Sequence, residues 1–323
     1  RLKNLKLAAV CLSCLTMTGC SALNFSVEGL INAPKLTSEQ SEIHQALIES
    51  VGSNITLKYP KNGEYRSAYV IANIDDEPTD EAMVFYEYTS NGSEEDGLRV
   101  NILDKDEDGK WYSVKELAGA GTDIDQVIIS PMGSNNQTDV FVGYQNLTND
   151  EKTMEIYSYT DGDFKRVALD TYSVLEPLDI NNDGYIELIT IQRSTKNDTG
   201  AVTAKASMLN MKNNEITRGE NVDMCDNVTS YVSSKTGMLD SGRRAIFIDG
   251  LTADGKLQTE IIYYRYSGLQ NPMQLRSEKL LPLCTRPAGY YSEDMDGDGD
   301  VEIPSTSPMV GYENAVADEM LYM

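Results

Sequence analysis

The sequence has few of the residues and motifs on which enzymes commonly depend. Its one histidine, His44, precedes every segment with a strand-like pattern. A Ser-His or Cys-His nucleophile system therefore cannot be built in the rest of the chain. The chain also lacks HExxH, phosphate-loop and GxSxG motifs, and it has no GxGxxG in a strand-turn-helix context. We expect a protein that is not an enzyme, although paired carboxylates could in principle hydrolyse glycosides.

Positive charge is also scarce. The chain has 27 Lys and Arg residues against 51 Asp and Glu residues, which gives a formal net charge of −24. A surface of this charge repels nucleic acid and anionic lipid, so neither is expected as a partner. Apolar residues make up 40% of the 323 residues, far above a disordered composition. The chain should fold, and it is too long for one ordinary core.

The first apolar run, Leu7 to Thr16, is too short to span a bilayer. Three basic residues precede it: Arg1, Lys3 and Lys6. The run leads into Met17-Thr18-Gly19-Cys20, which resembles the bacterial lipobox, where a signal peptidase cuts before a lipidated cysteine. We expect residues 1–20 to be a signal peptide, Cys20 to carry the lipid anchor and residues 21–36 to form a tether. An ordinary secretory signal or an uncleaved anchor is the alternative, and both readings predict export.

Cysteine is too sparse for a disulfide framework. Cys11 and Cys14 would leave with the signal peptide and Cys20 would be lipidated, so only Cys225 and Cys284 remain. No CxxC motif or Cys/His cluster suggests zinc. The two remaining cysteines lie at nearly equivalent places in neighbouring repeats, and either a disulfide or two separate buried thiols would fit.

The sequence predicts one helix, at residues 37–52. Thr37 can act as the N-cap, with Gln40 completing a capping box, and Gly52 can end the helix. Three apolar residues share one face: Ile43, Leu47 and Val51. Residues 53–323 show strand patterns broken by Asn, Asp and Gly clusters, which predicts an all-β chain.

An acidic stretch recurs along this β region. The segments "DMDGDGDVEI" from Asp294 and "DINNDGYIELI" from Asp179 share their order of Asp, Asn, Gly and Glu, and "NIDDEPTDEAMVF" from Asn73 keeps the polar offsets. Weaker copies begin at Pro131 and Gly237. The ninth positions of the five copies are separated by 58, 48, 58 and 57 residues, and they are Glu81, Asp139, Glu187, Ala245 and Glu302.

Each repeat also contains a second strand-turn-strand segment. These segments are Leu98 to Val114, Met154 to Val167, Ala204 to Gly219 and Thr259 to Leu275. One unit therefore has about four strands in about 50 to 60 residues. Such a unit cannot bury both faces alone, so this period predicts the blades of a β-propeller.

The repeat resembles the FG-GAP or VCBS type of integrin alpha chains and bacterial surface lipoproteins. The resemblance covers about residues 55–323 and is strongest at the third and fifth copies. It implies a ring of about seven blades, of which five are visible, so we expect either a chain truncated at its C-terminus or a ring closed in another way. It also implies calcium in the D-x-D-x-D-G-x-x-D/E loops.

Carboxylates at alternate positions, with Gly at the sixth, suit a calcium loop. Twelve residues are the candidate ligands: Asp294, Asp296, Asp298 and Glu302; Asp179, Asn181, Asp183 and Glu187; and Asn73, Asp75, Glu77 and Glu81. The alternative is that these loops are solvated Asp/Asn/Gly turns. The similar stretch Asp104 to Tyr112 has Tyr at the ninth position and is expected to be a hairpin turn.

The sequence predicts a lipid-anchored binding or adhesion protein that faces outward from a bacterial membrane. Its ligand would be a protein or a glycan at the cell surface, and its calcium would be structural. A carbohydrate-active enzyme that uses the loop carboxylates and a structural protein of envelope assembly are the alternatives. The 19 tyrosines could stack on sugars or contact a protein partner, or they could be strand residues that fill the space between blades.

Overall fold

A computed structural model describes residues 36–89, 97–131, 138–146, 151–195, 202–212, 215–239, 242–271, 285–305 and 321–322. The chain divides into two units, Arg1–His44 and Gln45–Met323. The predicted signal peptide, nearly all of the tether, Cys20 and Cys284 lie outside the described residues. No helix among the described residues has the length and apolar character needed to cross a membrane.

The predicted helix is present as α1, Ser38–Val51. It begins with a capping box, because the Gln40 N–H donates to Thr37 Oγ1 and the Thr37 N–H donates to Gln40 Oε1, both at 3.1 Å. Ile43 and Leu47 are fully buried, as their shared face predicts. Gly52 follows with φ +84°, a left-handed conformation that glycine adopts without strain.

The other elements of the described residues are strands, so the all-β prediction is confirmed. They are β1 (Ile55–Leu57), β2 (Tyr69–Ala72), β3 (Glu81–Tyr88), β4 (Leu98–Lys105), β5 (Trp111–Ala118), β6 (Asp123–Ser130), β7 (Asp139–Gln145), β8 (Lys152–Thr160), β9 (Asp163–Tyr172), β10 (Val174–Leu178), β11 (Glu187–Thr195), β12 (Val202–Lys212), β13 (Glu215–Asp223), β14 (Val228–Leu239), β15 (Arg243–Thr252), β16 (Lys256–Arg265), β17 (Gly268–Gln270), β18 (Thr285–Pro287), β19 (Pro304–Ser305) and β20 (Leu321–Tyr322).

Four antiparallel sheets form from consecutive strands. The first has the order β1-β3-β4-β5, with β2 also paired to β3, and the second has β6-β7-β8-β9. The third has β10-β11-β12-β13, and the fourth has β14-β15-β16-β17, with β18 also paired to β16. β19 and β20 form a separate pair. Each of the four sheets therefore contains the four-stranded unit expected from the repeat.

The acidic copies have equivalent places in these sheets. The first four copies fall at the connections from β2 to β3, β6 to β7, β10 to β11 and β14 to β15, each of which joins two paired strands of one sheet. The fifth copy is closed by an antiparallel bridge between Glu293 and Glu302. The stretch Asp104 to Tyr112 instead contains the hairpin turn from β4 to β5, as expected, and the Gly109 N–H donates to Asp106 O at 2.8 Å.

Within residues 45–323, successive sheets pack face to face. Phe85 of the first sheet and Val142 of the second share one core. The second sheet contacts the third through Phe141 and Leu188, and the third contacts the fourth through a further apolar core. Phe247 of the fourth sheet packs with Val301 of the fifth copy. The second and fourth sheets therefore each bury both faces, which accounts for the long buried runs in β7 and β15.

Buried polar side chains also join the fourth sheet to the segments before and after it. Arg286 of β18 is fully buried and pairs with Asp249 of β15, and Asp249 Oδ2 also accepts the Ser292 N–H at 2.6 Å. Glu260 of β16 accepts hydrogen bonds from the Cys225 N–H at 2.8 Å and from Asn271 Nδ2 at 2.6 Å. Cys225 is a buried free cysteine, and burial raises the pKa of its thiol.

Candidate metal centre

Three of the acidic copies carry all of the predicted ligands. We name them by their order in the chain. They are loop one (Asn73–Glu81), loop three (Asp179–Glu187) and loop five (Asp294–Glu302).

The same backbone hydrogen bonds shape the three loops. In each, the N–H of the second residue donates to the ninth-position glutamate, with distances of 2.8, 3.0 and 2.7 Å for Ile74–Glu81, Ile180–Glu187 and Met295–Glu302. The N–H of the fifth residue donates to the side chain of the third in every loop. Gly184 and Gly299, at the sixth position, each donate to the first aspartate. The loop backbone thus fixes the carboxylates at its two ends.

Loops three and five each gather three carboxylates. Oxygen atoms of Asp179, Asp183 and Glu187 lie within 4.8 Å of one another, and so do oxygen atoms of Asp294, Asp296 and Glu302. Two oxygens that ligate one calcium ion at 2.3 to 2.6 Å are at most about 5 Å apart, so both sets fit that ion. Further oxygen ligands would come from water and the backbone. Asp179 is buried, whereas Asp294 and Asp296 are exposed.

Two predicted ligands have other contacts. Asn181 directs its amide group at the loop three carboxylates, with Nδ2 3.0 Å from Asp183 Oδ2 and 2.9 Å from Glu187 Oε1. Asp298 lies in loop five outside the group of three, and its Oδ1 accepts the Asp300 N–H at 2.9 Å. The structure therefore brings all four predicted residues of loop three together, with Asn181 presenting its nitrogen to the carboxylates, and three of the four in loop five.

Loop one is arranged differently. Pro78 stands at its sixth position and has no N–H to donate, and its described carboxylates do not form a group of three. Glu81 is buried, and its Oε1 has no hydrogen-bond partner among the described residues. Burial raises the pKa of Glu81 to about 7, although the Ile74 N–H partly offsets this effect. Asn73 Nδ2 donates to the Glu77 carbonyl at 2.5 Å, while Asp75 accepts the Glu77 N–H.

Among the described residues, a cationic side chain reaches loop three but none reaches loop five. Arg244, which follows the fourth copy's turn, places Nη1 2.9 Å from Asp179 Oδ2 and also donates to the Asp179 carbonyl at 3.1 Å. Within the described part of the chain, Asp294, Asp296 and Glu302 have no Lys or Arg partner. Burial raises the pKa of Glu187, and the charges of Asp183 and Asp179 add to this effect. The carboxylates of loop five therefore repel one another, and no described Lys or Arg compensates their charge.

The second and fourth copies offer fewer ligands. Asp139 at the ninth position of the second copy is buried and accepts a hydrogen bond from Ser158 Oγ. Residues 132–137 of that copy and residues 240–241 of the fourth lie outside the described residues. The fourth copy has Ala245 at the ninth position, where each of the other copies carries Glu or Asp.

Comparison with known proteins identifies no family for this chain. No protein-family model matches the chain, and no curated protein matches it. What the chain does is therefore inferred from its own residues.

The sequence did not predict a cavity of about 760 Å³, which the first strands of three sheets line. Asp125 of β6 lies in its wall, buried, with Lys152 Nζ 2.9 Å from its Oδ1 and Tyr172 Oη 2.6 Å from its Oδ2. Burial would raise the pKa of Asp125, but Lys152 and Tyr172 outweigh it and hold the pKa below its usual value.

Glu176 of β10 lies in the same wall and has a contrasting environment. Ser234 Oγ of β14 donates to its Oε1. Burial raises the pKa of Glu176, and the bond from Ser234 only partly offsets it. The only sequence feature that pointed to this cavity was a single ionisable residue within an apolar strand segment, such as Glu176 in "VLEPL".

Proposed function

We propose that this chain is a calcium-stabilised binding module, built as a β-propeller of the FG-GAP or VCBS type. It would be exported and held by a lipid on Cys20, facing outward from a bacterial membrane, and it would bind a protein or a glycan. The observation that carries the proposal is the shared hydrogen-bond frame of loops three and five, each with three carboxylates within 4.8 Å.

The sheet arrangement supports the propeller part of the proposal. Successive sheets pack on one another in chain order. Gln126 Nε2 of β6 donates to the Leu175 carbonyl of β10 at 3.1 Å, and Ser234 of β14 donates to Glu176 of β10, so the first strands of three sheets are neighbours. In a propeller, the innermost strands of successive blades lie side by side around a central channel in this way.

The residues of loops three and five fit calcium by their chemistry. Carboxylate oxygens are hard ligands, and the donor set contains neither sulfur nor imidazole, which disfavours zinc. Bound calcium would neutralise clustered carboxylates that otherwise repel one another. The chain itself shapes the site. The backbone N–H groups of each loop orient its carboxylates, and the sheets hold each loop at the ends of their strands.

Calorimetric calcium titration of the purified protein tests the proposal, with the melting temperature followed in calcium and in chelator. We expect the parent protein to bind calcium and to melt at a higher temperature when calcium is present. An Asp296→Ala/Glu302→Ala variant should lose the contribution of loop five. A matched Asp106→Ala/Asp108→Ala variant, in the hairpin turn of similar sequence, should bind calcium as the parent does. If the parent gives no heat and no shift in melting temperature, the loops are solvated turns.

A further inference from the structure

The cavity of about 760 Å³ has walls that the fold holds in place. Its walls come from β6, β10 and β14 and from the segment Asn62–Arg66. The two hydrogen bonds that join β10 to β6 and β14, Gln126 to Leu175 and Ser234 to Glu176, tie these strands to one another. Sites on rigid strands are preorganised, and the volume lies in the usual range of about 300 to 1,000 Å³ for small-molecule sites.

The residues that line the cavity carry equal numbers of acidic and basic charges, whereas the protein as a whole is strongly acidic. It contains three acidic residues, Glu64, Asp125 and Glu176, and three basic residues, Arg66, Lys152 and Lys235. Asp125 and Lys152 neutralise each other at 2.9 Å. In the whole chain, acidic residues outnumber basic ones by 51 to 27. The lining therefore does not select a strongly cationic or anionic ligand.

Several polar groups in the lining keep hydrogen-bonding capacity. Among the described residues Glu176 accepts one hydrogen bond, from Ser234, and it has no Lys or Arg ion pair, although burial makes an unsatisfied carboxylate costly. Arg66 and Lys235 likewise have no ion pair within the described ranges. Ser130, Ser173, Ser233 and Thr236 add hydroxyl groups to the lining. These groups offer acceptors and donors on the same surface.

Aromatic and aliphatic side chains complete the wall. Tyr65 and Tyr231 line the cavity together with Val174 and Val232. Aromatic rings can stack on the C–H faces of a sugar, and hydroxyl groups can donate to Glu176 and accept from Lys235 or Arg66. An amino acid or a short peptide would instead place an ammonium at Glu176 and a carboxylate at the cations, and it would leave most of the lining hydroxyl groups without a partner.

We propose that this cavity is the ligand site of the binding module and that it takes a short neutral saccharide, held through Glu176, Lys235 and the lining hydroxyl groups. The inference rests on the proposed binding function and chooses the glycan over the protein ligand. The carboxylates that would hold calcium do not line the cavity, although Ile186 of loop three does.

Isothermal titration of the full protein in calcium tests the inference. The probes are glucose, galactose, mannose, N-acetylglucosamine, lactose, maltose, cellobiose and chitobiose, with alanine and dialanine as zwitterionic probes. We expect at least one saccharide to bind, with Kd between about 10 μM and 1 mM. Glu176→Gln should weaken that binding at least tenfold, and Lys235→Met should weaken it several-fold. Asp163→Asn, outside the cavity, should leave it unchanged.

The outcomes separate this inference from the calcium proposal. If no saccharide binds while calcium titrates normally, the inference is overturned and the calcium proposal stands. Saccharide binding that survives both Glu176→Gln and Lys235→Met would place the site elsewhere. Dialanine binding that depends on Glu176 would show that the ligand class is wrong. Should Glu176→Gln fail to fold, the exposed Lys235 still provides the test, since its loss removes no described bond.

Discussion

Arg286 and Asp249 form an ion pair of 2.7 Å in which both side chains are fully buried. Thr259 accepts a second hydrogen bond from Arg286 at 2.6 Å, and Ser292 donates to Asp249 through both its N–H and its hydroxyl. The pair therefore joins β15, β16 and β18 to the segment that leads into loop five. A buried pair with every partner present is the arrangement whose disruption costs most.

Arg286→Leu should lower the free energy of unfolding by about 3 to 5 kcal/mol, because it leaves the Asp249 charge buried without a counter-charge. Urea unfolding followed by fluorescence measures the loss. Lys165→Ala, which breaks the exposed pair with Asp161, is the control and should cause no measurable change. An Arg286→Leu protein as stable as the parent would show that the pair does not hold these segments together.

Arg244→Ala should increase the calcium affinity of loop three about three- to tenfold. Arg244 lies 2.9 Å from Asp179 Oδ2, so a bound cation would compete with it for the Asp179 carboxylate. In chelator the same variant should melt at a lower temperature than the parent, because Asp179 loses its counter-charge. The measurement is a calcium titration in an Asp296→Ala/Glu302→Ala background, which leaves loop three as the main site. Arg243→Ala is the matched neighbour and should change neither quantity.

Gly299→Ala should reduce the calcium affinity of loop five. Gly299 has φ +97° and its N–H donates to Asp294 Oδ2 at 3.1 Å, so a Cβ strains the turn that orients this ligand. Gly109→Ala is the control, since it has φ +77° in a hairpin turn and both positions have open space for a Cβ. Both variants should lose about 1 to 2 kcal/mol of stability in chelator. Equal calcium titrations for the two variants would contradict a metal at loop five.

Stability should depend on pH through Glu260. This carboxyl group is fully buried, its Oε1 lacks a partner among the described residues, and burial raises its pKa. The folded protein then binds the proton more tightly than the unfolded chain, whose glutamates titrate near 4.3. The contribution of Glu260 to stability is thus fully present below about pH 4.3 and is lost as pH rises towards the folded pKa.

Glu260→Gln removes this titration and keeps an acceptor for the Cys225 N–H. Its free energy of unfolding relative to that of the parent should therefore increase from pH 4 to pH 8. Urea unfolding of both proteins in chelator gives this difference at each pH. A difference that does not change with pH would show that Glu260 titrates alike in both states.

Local patterns predicted the parts of this structure that depend on neighbouring residues. Thr37 and Gln40 lie three positions apart and form the capping box, and the hairpin turn near Gly109 follows from its Asp and Gly residues. Asp179 and Glu187 meet because one short loop carries both. In each case the chain between the partners is too short to permit many other arrangements.

Contacts between sheets could not be predicted in the same way. Arg244 reaches Asp179 from the next repeat, and Ser234 reaches Glu176 from a strand of another sheet. Which side chains meet at such places depends on how the two sheets pack, and the repeat pattern does not specify that packing. The cavity was missed for this reason, since its charged residues are spread over separate strands and form no motif.

The construction of each sheet from one continuous stretch of chain affects how the protein can fold. The second sheet needs only residues between Asp123 and Tyr172, and the third only residues between Val174 and Asp223. Pairing of neighbouring strands closes short loops, which favours fast formation. A chain that emerges with its N-terminus first can therefore complete one sheet and offer its apolar face as a template for the next. The sheets can therefore assemble in the order in which the chain is synthesised, because each sheet needs few segments that are distant in the sequence.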